Sequence, residues 1–124
     1  MIELYTSPTP NGYKASIALE EMEIPYNTHT VDLMAGEQKQ DDFLAICPNG
    51  RIPAIVDSDN DDCAVFESGA IMDYLARRYP AARVYFPSDL RAHTRVAEWL
   101  FWMNANLGPN AGQVAGGMRV LCVC

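Results

Sequence analysis

The stretch from Pro48 to Ile71 constrains this chain more than any other. Its first half, Pro48-Asn49-Gly50-Arg51-Ile52-Pro53-Ala54-Ile55-Val56, reads as a turn, a proline and a short buried strand. A proline suits the first position of a strand, where its missing N–H costs no ladder bond. After an acidic loop, Ala64-Val65-Phe66 reads as a second short strand, running into a helix start at Glu67-Ser68-Gly69-Ala70-Ile71. The start of a helix carries unpaired N–H groups and the positive end of the macrodipole. Two strands, a turn and a helix N-terminus therefore make a place to hold an anionic small molecule.

Upstream, Ile2 to Tyr5 is an apolar-rich segment expected to form a buried strand. Ser7-Pro8-Thr9-Pro10-Asn11-Gly12 follows, a loop whose prolines stop the strand and whose Asn11 can cap a helix. Ala15, Ala18, Leu19 and Met22 then recur at helical spacing, one apolar face ending before Pro25. Asn27 to Leu33 favours a strand, so the order is strand, helix, strand: a βαβ unit with parallel strands and a right-handed crossover. Ala35 to Ile46 reads as a loop with a short helix around Phe43, Leu44 and Ile46.

Past Ile71, the residues Tyr74, Leu75 and Tyr79 mark a helical face that stops at Pro80. Residues 81–88 read as a linker between a domain over 1–80 and a helical start over 89–124. Val96, Trp99, Leu100, Met103 and Leu107 share one stripe of that next helix, with Phe101 and Trp102 on its other side. A helix apolar nearly all round needs burial on two faces, and nothing else in the chain is long enough to bury it. After Gly108-Pro109 the chain is expected to be too rich in glycine for a stable helix. It is read as a shortened chain, one that begins a helical second domain and stops.

The net charge of −7 disfavours nucleic acid and anionic membranes as partners, because both are repelled at long range. The longest apolar runs are short, so no membrane span is expected, and no basic-then-apolar leader precedes Ile2. A cytoplasmic protein is the expectation. The four cysteines, Cys47, Cys63, Cys122 and Cys124, lack the spacing of a disulfide framework or a zinc site, and the two histidines, His29 and His93, stand far apart. No metal site is expected.

Taken together, Ser7 to Gly12, Gly36-Glu37-Gln38, Pro48 to Ala54, Phe66 to Ile71, Trp99 to Trp102, Gly108-Pro109 and Gly112-Gln113 resemble the cytosolic glutathione transferases. Within that superfamily the chain is most similar to the nu-class, disulfide-bond-reductase branch, from Met1 to about Gly116. The resemblance implies an α/β, thioredoxin-like βαβαββα domain with a mixed four-stranded sheet, followed by the first helix of a truncated all-α domain.

It also implies the site. Ile52-Pro53 is expected to be a cis peptide, so that the backbone of Ile52 pairs with the cysteinyl part of glutathione like an added strand. Ser68 would take the γ-glutamyl carboxylate at the helix start and Glu67 the γ-glutamyl ammonium, where the bland alternative is a plain N-cap. Gln38 and Arg51 occupy the positions that contact the glycyl end, or are simply solvated.

A free cysteine thiol ionises near pH 8.5, so glutathione needs help to become a thiolate at neutral pH. In the resembling branch a threonine hydroxyl and an asparagine amide give it; here those residues are Thr9 and Asn11, with Ser7 the second candidate hydroxyl. Tyr5 and Tyr13 lie inside a strand and a helix, and there is no Cys-x-x-Cys at the first helix, which disfavours chemistry by the protein's own thiols.

Two classes of function stay open on the sequence. As an enzyme, the chain would bind glutathione or glutathione disulfide as co-substrate and carry out disulfide reduction or thiol transfer on a disulfide or small electrophile, as a homodimer in full-length form. As a noncatalytic module, it would keep the glutathione fold for regulation or assembly, or be an inactive remnant.

Overall fold

A computed structural model describes residues 1–121, with side chains through residue 114. Cys122 and Cys124 lie outside the described residues. The chain forms two compact units, Met1–Phe86 and Pro87–Cys124.

The first unit runs β1 (Ile2–Thr6), α1 (Pro10–Glu21), β2 (Tyr26–Thr30), α2 (Asp41–Ile46), β3 (Ala54–Asp57), β4 (Cys63–Phe66) and α3 (Ser68–Arg78). The four strands make one sheet in the order β2-β1-β3-β4. β1 pairs parallel with β2, as the βαβ reading requires, and antiparallel with β3, which pairs antiparallel with β4. This is the mixed, thioredoxin-like sheet that the sequence led us to expect.

Alternation along β1 divides the core in two. Ile2 and Leu4 face the side covered by α1 and α3, where Ala15, Ala18, Leu19 and Met22 meet Ile55, Ile71 and Leu75. All four residues picked out by helical spacing are buried, three within α1 and Met22 at its C-cap. Tyr5 faces the opposite side, where Phe43 of α2 packs with Val31, Cys47 and Ala54. Helix α2 is only six residues long and leaves part of that face to water. There Glu3 accepts hydrogen bonds from Asn27 Nδ2 at 2.8 Å and bonds His29 Nε2 at 2.5 Å.

The segment read as a linker folds partly into the first unit: Pro80–Val84 forms a 3-10 turn and Ala82 is fully buried in the α1/α3 core. The second unit holds α4 (Leu90–Trp102), a π-helical stretch (Met103–Leu107) and α5 (Gly108–Leu121). No residue of α4 is buried, and Trp99 and Phe101 are 67% and 70% exposed. One expectation is corrected here. The glycine-rich segment after Pro109 is helical. It continues a helix already formed, so it escapes the nucleation step that penalises an isolated segment, and Pro109 stands near its start, where proline is tolerated.

Candidate functional site

Strand register gathers the site. Tyr5 lies opposite Ala54, and Ala54 opposite Phe66. The chain therefore leaves β1 at Thr6, enters β3 from Pro53 and leaves β4 at Glu67, all at one end of the sheet. Helices α1 and α3 both begin there and pack against each other, so two N-termini open at the same end.

At α1, Thr9 and not Asn11 is the N-cap: it lies in extended backbone before Pro10, its Oγ1 accepts the Gly12 N–H at 3.2 Å, and Asn11 is already inside the helix. Pro10 takes the first helical position, where no N–H is needed. Thr9 N–H donates to the Ser7 carbonyl at 2.7 Å, folding the loop back beneath the first turn. Gly12 makes that possible: a Cβ there would sit 2.2 Å from the Ser7 carbonyl oxygen and 2.4 Å from Thr6 Oγ1. Asn11 is exposed, and its Oδ1 accepts from Lys14 Nζ at 3.0 Å.

Both candidate residues therefore have an acceptor engaged from within the chain. A hydroxyl that accepts still has its O–H to donate, and an amide held by its oxygen still has its NH₂. Thr9 and Asn11 can present donors at the positive end of α1, as stabilisation of a thiolate requires.

At α3, Glu67 precedes the first helical residue with φ 71°, and its exposed side chain makes no capping bond. Ser68 is buried at the first turn. The Ile52–Pro53 peptide is cis, with Ile52 half-buried and Pro53 buried. Gly50 has φ 60°, and a Cβ there would press on the Gln38 carbonyl oxygen at 2.9 Å, so the Gln38–Lys39 turn lies against the approach to Arg51. Arg51 is exposed. The Gln38 amide turns toward its own loop, Nε2 lying 3.5 Å from the Leu33 carbonyl, while its Oε1 is buried without a hydrogen-bond partner. A buried acceptor of this kind fits a donor supplied from outside the chain.

The opposite end of the sheet holds a network that periodicity did not reveal. Asp57, fully buried, accepts from Tyr74 Oη at 2.8 Å and Arg78 Nε at 3.2 Å. Desolvation and the bond to Asp57 push the Tyr74 hydroxyl up to about 12. This cluster ties β3 to α3 and lies away from both open helix ends. A cleft of about 670 Å³ on the α2 face, lined by His29, Thr30, Asp41, Asp42 and Phe43 among others, contains none of Thr9, Asn11, Gln38, Arg51, Ile52, Pro53, Glu67 and Ser68. Asp41 and Asp42 stand in the first turn of α2, where the dipole favours them, and they would repel an anion.

Sequence reasoning missed Lys14, although its spacing of three from Asn11 is the signal for a side-chain pair on one helix. It also missed the backbone of Glu67, which nothing in local composition announces.

A mixed four-stranded sheet with two helix N-termini and a cis-proline strand at one end defines a class, the thioredoxin-like domains of glutathione transferases. Residues 1–77 match the family model for the glutathione S-transferase N-terminal domain, and the chain belongs to that family. It is 44% identical over 117 residues to the disulfide-bond oxidoreductase YfcG of Escherichia coli (strain K12), covering 91% of this chain and 53% of the relative. A glutathione transferase family member from Pseudomonas fluorescens pf-5, solved with two glutathione bound, matches with TM-score 0.84 and 40% identity over 91% of this chain and 50% of that one. A glutathione transferase from Pseudomonas putida, with one glutathione disulfide bound per subunit, matches with TM-score 0.83 and 35% identity over 91% and 49%. The chain spans about half the length of these relatives.

Proposed function

We propose that the chain binds glutathione or its disulfide where α1, β3 and α3 meet, and acts in glutathione-dependent disulfide reduction or thiol transfer. The observation that carries this is the pair of engaged acceptors at α1: Thr9 Oγ1 on Gly12 N–H and Asn11 Oδ1 on Lys14. The glutathione seen in the Pseudomonas relatives, and the printed activity of YfcG, support it.

Glutathione, when bound, supplies the sulfur: its thiolate attacks one sulfur of a disulfide, a new S–S bond forms as the old one breaks, and the departing thiolate takes a proton from water. The chain's part is to bind and to stabilise charge. Thr9 O–H and Asn11 N–H face the sulfur and favour its ionised form. The backbone of Ile52 pairs with the cysteinyl unit, Ser68 and the α3 N-terminus take the γ-glutamyl carboxylate, and Glu67 meets the ammonium. Gln38 and Arg51 serve the glycyl end. In a full-length protein this domain would work within a homodimer, on a disulfide or small electrophile.

The test is turnover of a small disulfide by glutathione. Thr9→Ala should lower the rate about 10- to 100-fold, the scale of one hydrogen bond to a charged group, while glutathione still binds. Binding by the unaltered chain with no turnover would instead make it a noncatalytic glutathione-fold module.

A further inference from the structure

We infer that Lys14 is a positioning residue for the thiolate, fixing the polarity of the Asn11 amide and adding a positive charge beside it; this rests on the glutathione reading above. An amide can face a sulfur with its NH₂, which stabilises a thiolate, or with its oxygen, which repels one. A half-turn about the last side-chain bond exchanges the two. Lysine is a donor only, so the Asn11 atom 3.0 Å from Nζ is the oxygen, and the NH₂ is left for the ligand. Without Lys14 both orientations become available.

The charge is the second part of the argument. A cation within the first turns of a helix stands at the end where the macrodipole opposes it. Helix α1 has no acidic residue in its first turn, whereas α2 has Asp41 and Asp42 there. The N-terminus of α1 thus keeps an uncompensated positive potential, and Lys14 adds to it. Other charged side chains at this end of the sheet are Arg51, before β3, Lys39, whose Nζ donates to the Asn49 carbonyl at 3.4 Å, and Glu67, before α3. Glu67 is matched by the ammonium of the ligand in the reading above, so its charge is not left facing the sulfur.

The experiment follows the ultraviolet absorbance of the bound glutathione thiolate against pH in the full chain, for the unaltered protein, Lys14→Gln and Lys14→Arg. Binding of S-methylglutathione, which has no thiol to ionise, is measured alongside. Lys14→Gln should raise the pH midpoint of ionisation by about half to one unit, a roughly three- to tenfold smaller thiolate fraction at neutral pH, the lower end of what a nearby opposite charge does. Lys14→Arg, which also donates and carries the charge, should restore most of it. S-methylglutathione should bind both variants as it binds the unaltered chain. Equal midpoints in the unaltered protein and Lys14→Gln would overturn the role of Lys14 and leave the glutathione site standing. Failure of the unaltered chain to bind S-methylglutathione would overturn the site itself, and Lys14's role with it.

Discussion

Glu67 holds a Cβ at φ 71°, where side chains other than glycine are crowded by the neighbouring backbone. Such a residue costs on the order of 1–3 kcal/mol and persists where the surroundings or the function require it. Glu67→Gly should therefore raise the unfolding free energy by about 1 kcal/mol, net of glycine's greater freedom in the unfolded chain. Glu67→Ala keeps the Cβ and should bring no such gain. Both should weaken glutathione by about 1–3 kcal/mol through loss of the charged contact. Urea unfolding and ligand titration on the same samples separate the two effects; a glycine variant no more stable than alanine would show that the backbone here is relaxed. Tyr74 gives a pH signature. Its folded value of about 12 lies above the ordinary 10.0, so the fold favours the neutral phenol. That contribution is complete below pH 10 and is lost as pH rises toward 12. The urea midpoint should fall across this window, and Tyr74→Phe should flatten the fall while costing about 1–2 kcal/mol at neutral pH, because Asp57 loses a donor.

At the level of elements, the first helix and its loop act as one piece. The Ser7 carbonyl and Thr6 hydroxyl lie against Gly12, so Gly12→Ala places a methyl group inside contact distance of the backbone. It should destabilise the chain by about 1–3 kcal/mol, the usual cost of overpacking, and should also slacken the Thr9 cap; thermal unfolding measures the first and disulfide turnover the second. Much of this element was legible in the residues. Ala15, Ala18, Leu19 and Met22 recur at helical spacing because one face is buried, whereas the cap falls on Thr9, two residues before the expected Asn11, because Pro10 needs no N–H and already takes the first helical position. The Pro48–Ile71 stretch announced β3, β4 and the start of α3 for similar local reasons. What stayed hidden depended on neighbours distant in sequence. Asp57 reads as the start of an acidic loop until Tyr74 and Arg78, a helix away, turn toward it. The stripe of α4 demands a partner by its composition, and no other segment of the sequence reads as long enough to supply one.

For the molecule as a whole, the net charge of −7 and an anionic ligand are reconciled by location. Arg51, Lys14 and two helix N-termini stand at one end of the sheet, while Asp57 and Asp59 are at the other and Asp41 and Asp42 flank the cleft on the α2 face. All the proposed site residues, Thr9, Asn11, Gln38, Arg51, Ile52, Pro53, Glu67 and Ser68, belong to the unit Met1–Phe86. That unit has its own two-sided core, and the proposed glutathione site thus lies wholly within it. Isothermal titration of the 124-residue chain with glutathione, repeated with Ser68→Ala, tests this most directly. Saturable one-site binding, weakened about tenfold or more by the loss of a hydrogen bond to the ligand's carboxylate, is the expected result. The absence of saturable heat, or an affinity indifferent to Ser68→Ala, would contradict the placement of the ligand at the α3 N-terminus.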